Sequence, residues 1–307
     1  MKKSKRILIA FISIITLIFV TSSEVKASGN YTPKELNVQF VPSSNAQTME
    51  AKVKPLAKLL QKELGIPVKV TVSTNYNTIV EAMGSKQVDV GFLPSDAYVQ
   101  AHKQYGAKVL LQAQRYGYKG SGDKKSKKLV NYYRGQIVVR KGSGITKLSQ
   151  LKGKKIAVQD TTSSSGWVFP VACLYEHGIN INKDNIQTVQ VKGADQAVMS
   201  VYNGDTDAAF IFQGARSLVK KDAPDVMKKV IPIYTTPKIP NDTVTVRGDM
   251  SPAFQKKLIK AFKNIAKSKE GHKIISSVYS HEGYVETKDS NFDTVRKYDK
   301  IVEKVNK

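Results

Sequence analysis

An α/β fold in two units is predicted by three observations. Short β-rich runs alternate with helical ones along the chain, Gly and Pro punctuate the junctions, and 41% of the 307 residues are hydrophobic, enough to build a core. In the first unit, LNVQFV (36–41) reads as a strand and 46–64 as a helix with Met49, Val53, Leu56, Leu59 and Leu60 near one face. Gly65-Ile66-Pro67 stops that helix with the expected Gly-then-Pro order. A strand over 67–72, a helix over 77–86 and the strand VDVGFL (88–93) follow, and Pro94-Ser95-Asp96 opens another helix. After a strand over 109–116, the Gly-, Ser- and Lys-rich stretch 117–128 reads as an exposed loop, and 137–140 as a strand.

The second unit repeats the alternation: strand 155–159, helix 165–176, strand 186–191, helix 194–202, strand 207–212, helix 214–221 and strand 230–235. A final strand at 243–247 precedes a mostly helical remainder. The division is therefore one lobe from about 30–138, a second from 139–238, and a tail 239–307 expected to pack back on the first lobe. Two crossings between lobes make a hinge. No repeat of 20–50 residues is visible, which excludes a solenoid or propeller.

The first 27 residues read as an export signal. Lys2, Lys3, Lys5 and Arg6 precede the apolar run 7–20, and Val25-Lys26-Ala27 offers a cleavage site. The run is about 14 residues, short of the roughly 20 that span a bilayer; an uncleaved anchor is the alternative. Cleavage would take the net charge from +24 to +20, by removing five basic groups and one acidic one. No cysteine lies near the cut, so lipid attachment there is not expected. The single cysteine, Cys173, rules out an internal disulfide and sits in an apolar stretch as a small buried hydrophobe.

Lys accounts for 42 of the 49 basic residues and Arg for seven. The lysines are dispersed and base readout favours Arg, so nucleic acid is not the expected partner. The four histidines, at 102, 177, 272 and 281, show no paired spacing for a metal, and no phosphate loop or dinucleotide fingerprint is present. Ser164 and His177 lie at opposite ends of one helix, too far apart for a hydrolase triad; His177 reads instead as a helix cap before Gly178. No catalytic residue, cofactor or metal site is expected.

The segment KIAVQDTTSSSGWVFP (155–170) carries the strongest chemistry. A strand runs into a hydroxyl-rich turn that opens an apolar helix. Ligands of open α/β sheets bind at the carboxyl ends of strands, and a helix start there offers free N–H groups and a positive dipole end. Ser163, Ser164 and Ser165 add rotatable donors. The combination makes a socket for a small oxyanion, and an ordinary Ser-rich cap is the bland alternative.

VQFVPSSNAQTMEAKVKPLAKLLQKELGIPVKV, STNYNTIVEAM, KQVDVGFLPSDAYV, QDTTSSSGWVFPVACL, VYNGDTDAAFIFQGA and KIPNDTVTVR together resemble the phosphate/phosphite/phosphonate-binding proteins of ABC importers, from about residue 36 to the end. The resemblance implies a two-lobed type II periplasmic-binding fold, a small phosphorus oxyanion as ligand, lobe closure upon it, and delivery to a membrane permease by a monomeric, exported, non-enzymatic protein. It places the three serines on the anion cradle, Tyr76 against the ligand from the opposite lobe, and Asp242 as a cleft carboxylate. It also implies departures from the aminoethylphosphonate-binding branch: Ala194 replaces a histidine, Gly214 a carboxylate and Leu93 a cleft tyrosine. A smaller oxyanion is favoured accordingly, with Gln213 a candidate replacement donor. An exported phosphoesterase and a cationic surface protein binding polyanions are the competing readings.

Overall fold

The computed structural model describes residues 29–306. The expected export signal lies outside the described residues. Two sheets organise the chain, and they repeat one plan. In the first, β1 (Leu36–Phe40) lies between β2 (Val68–Val72) and β3 (Val90–Leu93), all parallel. Then come β11 (Thr243–Val246) and β4 (Lys108–Tyr118), with β12 (Gly283–Glu286) beyond. In the second, β7 (Lys155–Val158) lies between β8 (Gln187–Gln190) and β9 (Ala208–Phe212), again parallel. The antiparallel β6 (Tyr132–Arg140) and β10 (Val230–Pro240) complete it.

The buried runs of β3, β7 and β9 reflect this central, two-sided burial. Helices α1 (Ala46–Val53), α2 (Leu56–Leu64), α8 (Pro252–Lys267) and α9 (Lys269–Tyr279) contribute to a core over the first sheet that includes Phe40 stacked on Phe92 at 4.0 Å. The second sheet is covered on one face by α5 (Phe169–Glu176) and on the other by α6 (Ala194–Asn203).

Several boundaries differ from expectation, each for a local reason. The helix expected over 46–64 is two helices, because Pro55 has no N–H to continue the ladder and α2 restarts behind it. The stretch expected as the loop 117–128 is a hairpin: β4 runs on to Tyr118 and pairs with β5 (Lys125–Val130) around a six-residue turn. Gly and Lys make that pair look like loop, yet Lys is usual on an exposed edge strand. The strand β10 continues through Pro237 and Pro240 with bulges, as proline permits at a sheet edge.

The lobe boundary also moves. Residues 132–138, assigned from sequence to the first lobe, belong to β6 in the second sheet, so the chain crosses at about Asn131 and returns at Asn241. Nor does the tail stay with the first lobe. Its last helix, α10 (Asp293–Val305), lays Tyr298 on Phe169 of the second lobe, with ring centroids 4.3 Å apart. Asn182 of that lobe donates to the carbonyl of Val305. α10 also packs on α4 (Ser95–Tyr105) of the first lobe, and one apolar cluster joins residues of both lobes behind the cleft.

Phe169 is fully buried between these parts. Phe169→Ala should lower unfolding stability by about 3–5 kcal/mol and free α10 for proteolysis. Urea denaturation and limited digestion read both effects; a loss near zero would mean that the α10 contact contributes little.

Candidate functional site

The carboxyl ends of β1, β3, β7 and β9 converge from the two sheets on a cavity of about 130 Å³. Val41, Pro94, Gln159 and Phe212, each the residue after or at the end of one of those strands, line it. That is small beside the roughly 300–1,000 Å³ of pockets for drug-sized ligands.

The floor on the second-lobe side is the hydroxyl turn after β7. The helix opens with a wide π-turn over Ser164–Val168, and Pro170 cannot donate to the carbonyl of Gly166 four residues back. The carbonyl of Gly166 instead accepts from the Gln159 amide at 3.1 Å. Ser163 caps the turn, its Oγ accepting from the Gly166 amide at 3.2 Å. The amides of Ser164 and Ser165 then have no partner within the helix. Gly166 is required by close approach: a Cβ there would meet the Gln159 side chain at 2.5 Å.

The three serines divide. Ser163 and Ser165 line the cavity together with Tyr133. Ser164 is fully buried with its Oγ turned to the first lobe, where it accepts from the Asp96 amide at 2.9 Å and meets Ser95 Oγ at 3.1 Å. Ser164 therefore joins the lobes through its hydroxyl; its backbone amide is the part that stands at the helix start.

Tyr76 is the first residue of α3 (Tyr76–Gly84) and lines the cavity from the other lobe. Its amide donates to Asp160 Oδ2 at 2.7 Å, and its hydroxyl lies 3.5 Å from Gln159 Oε1. Burial above all, then the neighbouring Tyr133, Asp242 and Asp160, pushes its hydroxyl far above the ordinary tyrosine pKa, so it remains a neutral donor.

Asp242 follows Asn241 at the return crossing and faces the cavity. Its Oδ2 accepts from Arg115 Nη2 at 2.9 Å and from His281 Nε2 at 3.1 Å. Both bonds fall on Oδ2, leaving Oδ1 for the cavity. Burial works against the charge, but the bond from His281 and the Arg115 guanidinium outweigh it and hold the carboxyl below its ordinary value. His281, almost wholly buried, is pushed below its ordinary value chiefly by burial, against the pull of Asp242. Neutral imidazole with Nε2–H toward Asp242 and Nδ1 toward Tyr284, whose hydroxyl is 3.3 Å away, satisfies both rings. Arg115 also lies over the Tyr133 ring, 5.0 Å from its centroid, while its buried Nε–H has no partner.

Gln213 is not in this cavity. Its amide nitrogen donates to the carbonyls of Gly120 and Gly122 in the β4–β5 turn, at 2.9 and 2.7 Å. Leu93 is fully buried in the apolar cluster, and Ala194 opens α6, its amide donating to the Ser43 carbonyl of the first lobe at 3.1 Å. Gly214 does line the cavity, with the Tyr118 hydroxyl where its side chain would begin. Sequence reasoning missed Arg115, Tyr118, Tyr133 and His281. The available signal was the scarcity of Arg: Arg115, Arg216 and Arg247 are all buried in ion pairs. Among the described residues no group of three or more His, Cys, Asp or Glu is placed to hold a metal ion, and no helix is long and apolar enough to cross a membrane.

Two α/β lobes with a polar, cation-bearing cavity at facing strand ends define a type II periplasmic-binding architecture. The chain belongs to the family described as ABC transporter, phosphonate, periplasmic substrate-binding protein, whose model matches residues 38–292. It is 26% identical over 192 residues to the phosphate-import protein PhnD of Mycolicibacterium smegmatis, a match spanning 59% of this chain and 56% of that relative. It is 23% identical over 266 residues to the phosphonates-binding periplasmic protein of Escherichia coli, covering 85% of this chain and 74% of the relative. In fold it is similar to PhnD1 of Prochlorococcus marinus, solved in complex with methylphosphonate, with TM-score 0.75 at 19% identity over 89% of this chain and all of that one.

The Asp242–His281 pair makes the fold acid-sensitive in a defined direction. Both folded values lie below the ordinary ones, 3.8 for the carboxyl and 6.5 for the imidazole. Each group then contributes stability that is complete above its ordinary value and lost as pH falls toward its folded one. The melting temperature should decline from pH 6.5 downward, and His281→Asn should flatten the upper part of that decline, whatever its effect at neutral pH. An unchanged slope in thermal melts between pH 6.5 and 4.5 would remove His281 from the linkage.

Proposed function

We propose that this protein is the exported, monomeric binding component of an ABC importer for a small phosphorus oxyanion such as phosphite, methylphosphonate or phosphate. It captures the anion between the lobes and presents it to a membrane permease without chemical turnover. The observation that carries the reading is the paired arrangement in the cavity: free amides and hydroxyls of the Ser163–Ser165 turn on one side, and Tyr76, Arg115 and Asp242 on the other. The relatives' names, phosphate import in one and phosphonate binding in another, point to the same ligand class.

In this reading two anion oxygens sit on the amides of Ser164 and Ser165 and on the Ser163 and Ser165 hydroxyls. Tyr76 and Arg115 donate from the opposite lobe. Asp242 Oδ1 faces the remaining ligand atom and accepts a proton-bearing oxygen, so the site prefers an anion that keeps one P–OH group. A fully ionised ligand brings no proton to Asp242 Oδ1, sets oxygen against oxygen there, and is disfavoured.

Titration calorimetry with the three anions tests the proposal, and binding of none of them would overturn it. Ser165→Ala, which removes one neutral donor, should weaken binding by about 0.5–1.5 kcal/mol, or roughly two- to tenfold, without moving the unliganded melting temperature. Affinity for phosphite and methylphosphonate should fall as alkaline pH takes their last proton, while phosphate, which keeps a P–OH group, should be spared. Asp242→Asn, which substitutes an amide able to donate, should abolish that fall; an identical pH profile would leave Asp242 outside ligand recognition. Phosphatase activity in the same preparations, with or without divalent metals, would contradict binding without turnover.

A further inference from the structure

We propose that the β4–β5 hairpin is the selectivity element of the cleft. Tyr118, Arg115 and Lys125 confine the site to compact oxyanions lacking an amine-bearing arm, and the hairpin tip latches onto the second lobe to keep them in place. The inference rests on the oxyanion reading and adds to it what sets the ligand's size and charge.

The hairpin grows from the first sheet but ends on the second lobe. Its turn is closed by the Lys119 amide on the Lys124 carbonyl, and three successive turn carbonyls are received by side chains of the other lobe. Gln213 Nε2 donates to Gly120 and Gly122, and Gln136 Nε2 donates to Ser121 at 2.7 Å. Arg216 Nη2 lies 2.7 Å from Asp123 Oδ2, with 6% and 10% of those side chains exposed, and its other arm is fixed by the Val230 carbonyl at 2.6 Å. A buried, charged contact of this kind is unusual for an edge hairpin and fixes its position.

The base of the hairpin forms one wall of the ligand cavity. A side chain at 214 would begin 2.0 Å from the Tyr118 hydroxyl, and the backbone of Gly214 is in a conformation that L side chains rarely adopt (φ +97°). Bare backbone at 214 is what lets the Tyr118 hydroxyl close against the second lobe, shutting the cavity where a longer ligand arm would extend. The charges select in the same sense. Arg115 and Lys125 both line the cavity, and the carboxylate opposite is already held by Arg115 and His281 through Oδ2. A ligand ammonium would face two cations and a compensated anion.

Beneath the hairpin lies a second cavity of about 280 Å³, lined by Tyr116, Tyr132, Arg134 and Thr235 among others. Of that lining, Thr235 Oγ1 is buried without a partner. The hairpin therefore roofs a partly hollow space and is held to the second lobe at its tip, by the turn bonds and the Arg216–Asp123 pair.

Calorimetry on the full chain with methylphosphonate, propylphosphonate and 2-aminoethylphosphonate tests the inference. The unaltered protein should bind methylphosphonate in clear preference to the other two. Tyr118→Ala should narrow the methyl-over-propyl ratio by about tenfold, the scale on which a pocket wall discriminates extra methylenes. Lys125→Gln, a substitution on an exposed strand that leaves the core untouched, should narrow the methyl-over-aminoethyl ratio by roughly three- to tenfold, as expected for one cation facing another. Unchanged ratios in Lys125→Gln and in a folded Tyr118→Ala overturn the proposal, as does an unaltered protein that prefers 2-aminoethylphosphonate. Failure of the unaltered protein to bind any of these, or phosphate, would instead sink the oxyanion reading beneath it.

Discussion

A missing N–H at Pro170 shapes the floor of the cleft. Proline cannot donate to the Gly166 carbonyl, so that carbonyl is left out of the helix ladder where the helix after β7 opens wide over Ser164–Val168. The freed carbonyl is taken by the amide of Gln159, which ties the helix start to the end of its own strand. That tie sets the serines in alternating directions, so Ser163 and Ser165 face the ligand space while Ser164 reaches the other lobe. One backbone constraint thus divides three chemically identical neighbours between recognition and lobe contact.

The opposite wall depends on a buried carboxylate that is tolerable only in company. Asp242 alone would face a large desolvation penalty and would repel the anion that the cradle attracts. Arg115 and His281 remove the first problem by hydrogen bonding one oxygen, and the Arg115 charge offsets the second. What is left is an acceptor of nearly compensated charge beside a guanidinium with one N–H unspent. Such a pair can discriminate the protonation state of a ligand, which neither partner could do singly.

The fold was largely legible because its signals are local. Alternating patterns, Gly65-Ile66-Pro67 and Pro94-Ser95 marked elements that need no knowledge of their neighbours, and the serine turn announced itself by composition. What escaped was non-local. Gln213 ends a central strand beside the cleft and looks like a ligand donor, but which cavity it enters is decided by a hairpin some 90 residues earlier, itself disguised as loop by its lysines. Tyr118 likewise gains its place from a glycine almost a hundred residues later. His281 offered no pattern at all, since a single histidine acquires meaning only from the aspartate that folding brings to it. Arg115 was the recoverable case: with 42 Lys and seven Arg in the chain, each Arg is a candidate for a position that needs a planar, permanently charged fork, though Arg140 is merely exposed.

These pieces also determine how the molecule opens. Behind the cleft, Leu93 and Tyr98 from one lobe, Phe169 and Cys173 from the other, and Phe292 and Tyr298 from the terminal segment share one apolar cluster. In front, the lobes meet through polar bonds: Tyr76 to Asp160, Ala194 to Ser43, and the hairpin turn to Gln213 and Gln136. Breaking the apolar side would expose hydrophobic surface, whereas the neutral polar bonds exchange for water at about 0.5–1.5 kcal/mol each, and the contacts of the Asp160 and Asp123 carboxylates cost more. Rotation about the rear cluster is therefore the soft motion, with α10 spanning the axis as a third link beyond the two strand crossings. With the polar contacts nearly balanced against water, a ligand that touches both walls supplies the differential free energy that selects the closed form. An anion held by the serine turn alone would bind both forms equally and shift nothing. In the proposed reading, closure depends on the first-lobe contacts of Tyr76, Arg115 and Asp242 as much as on the cradle itself.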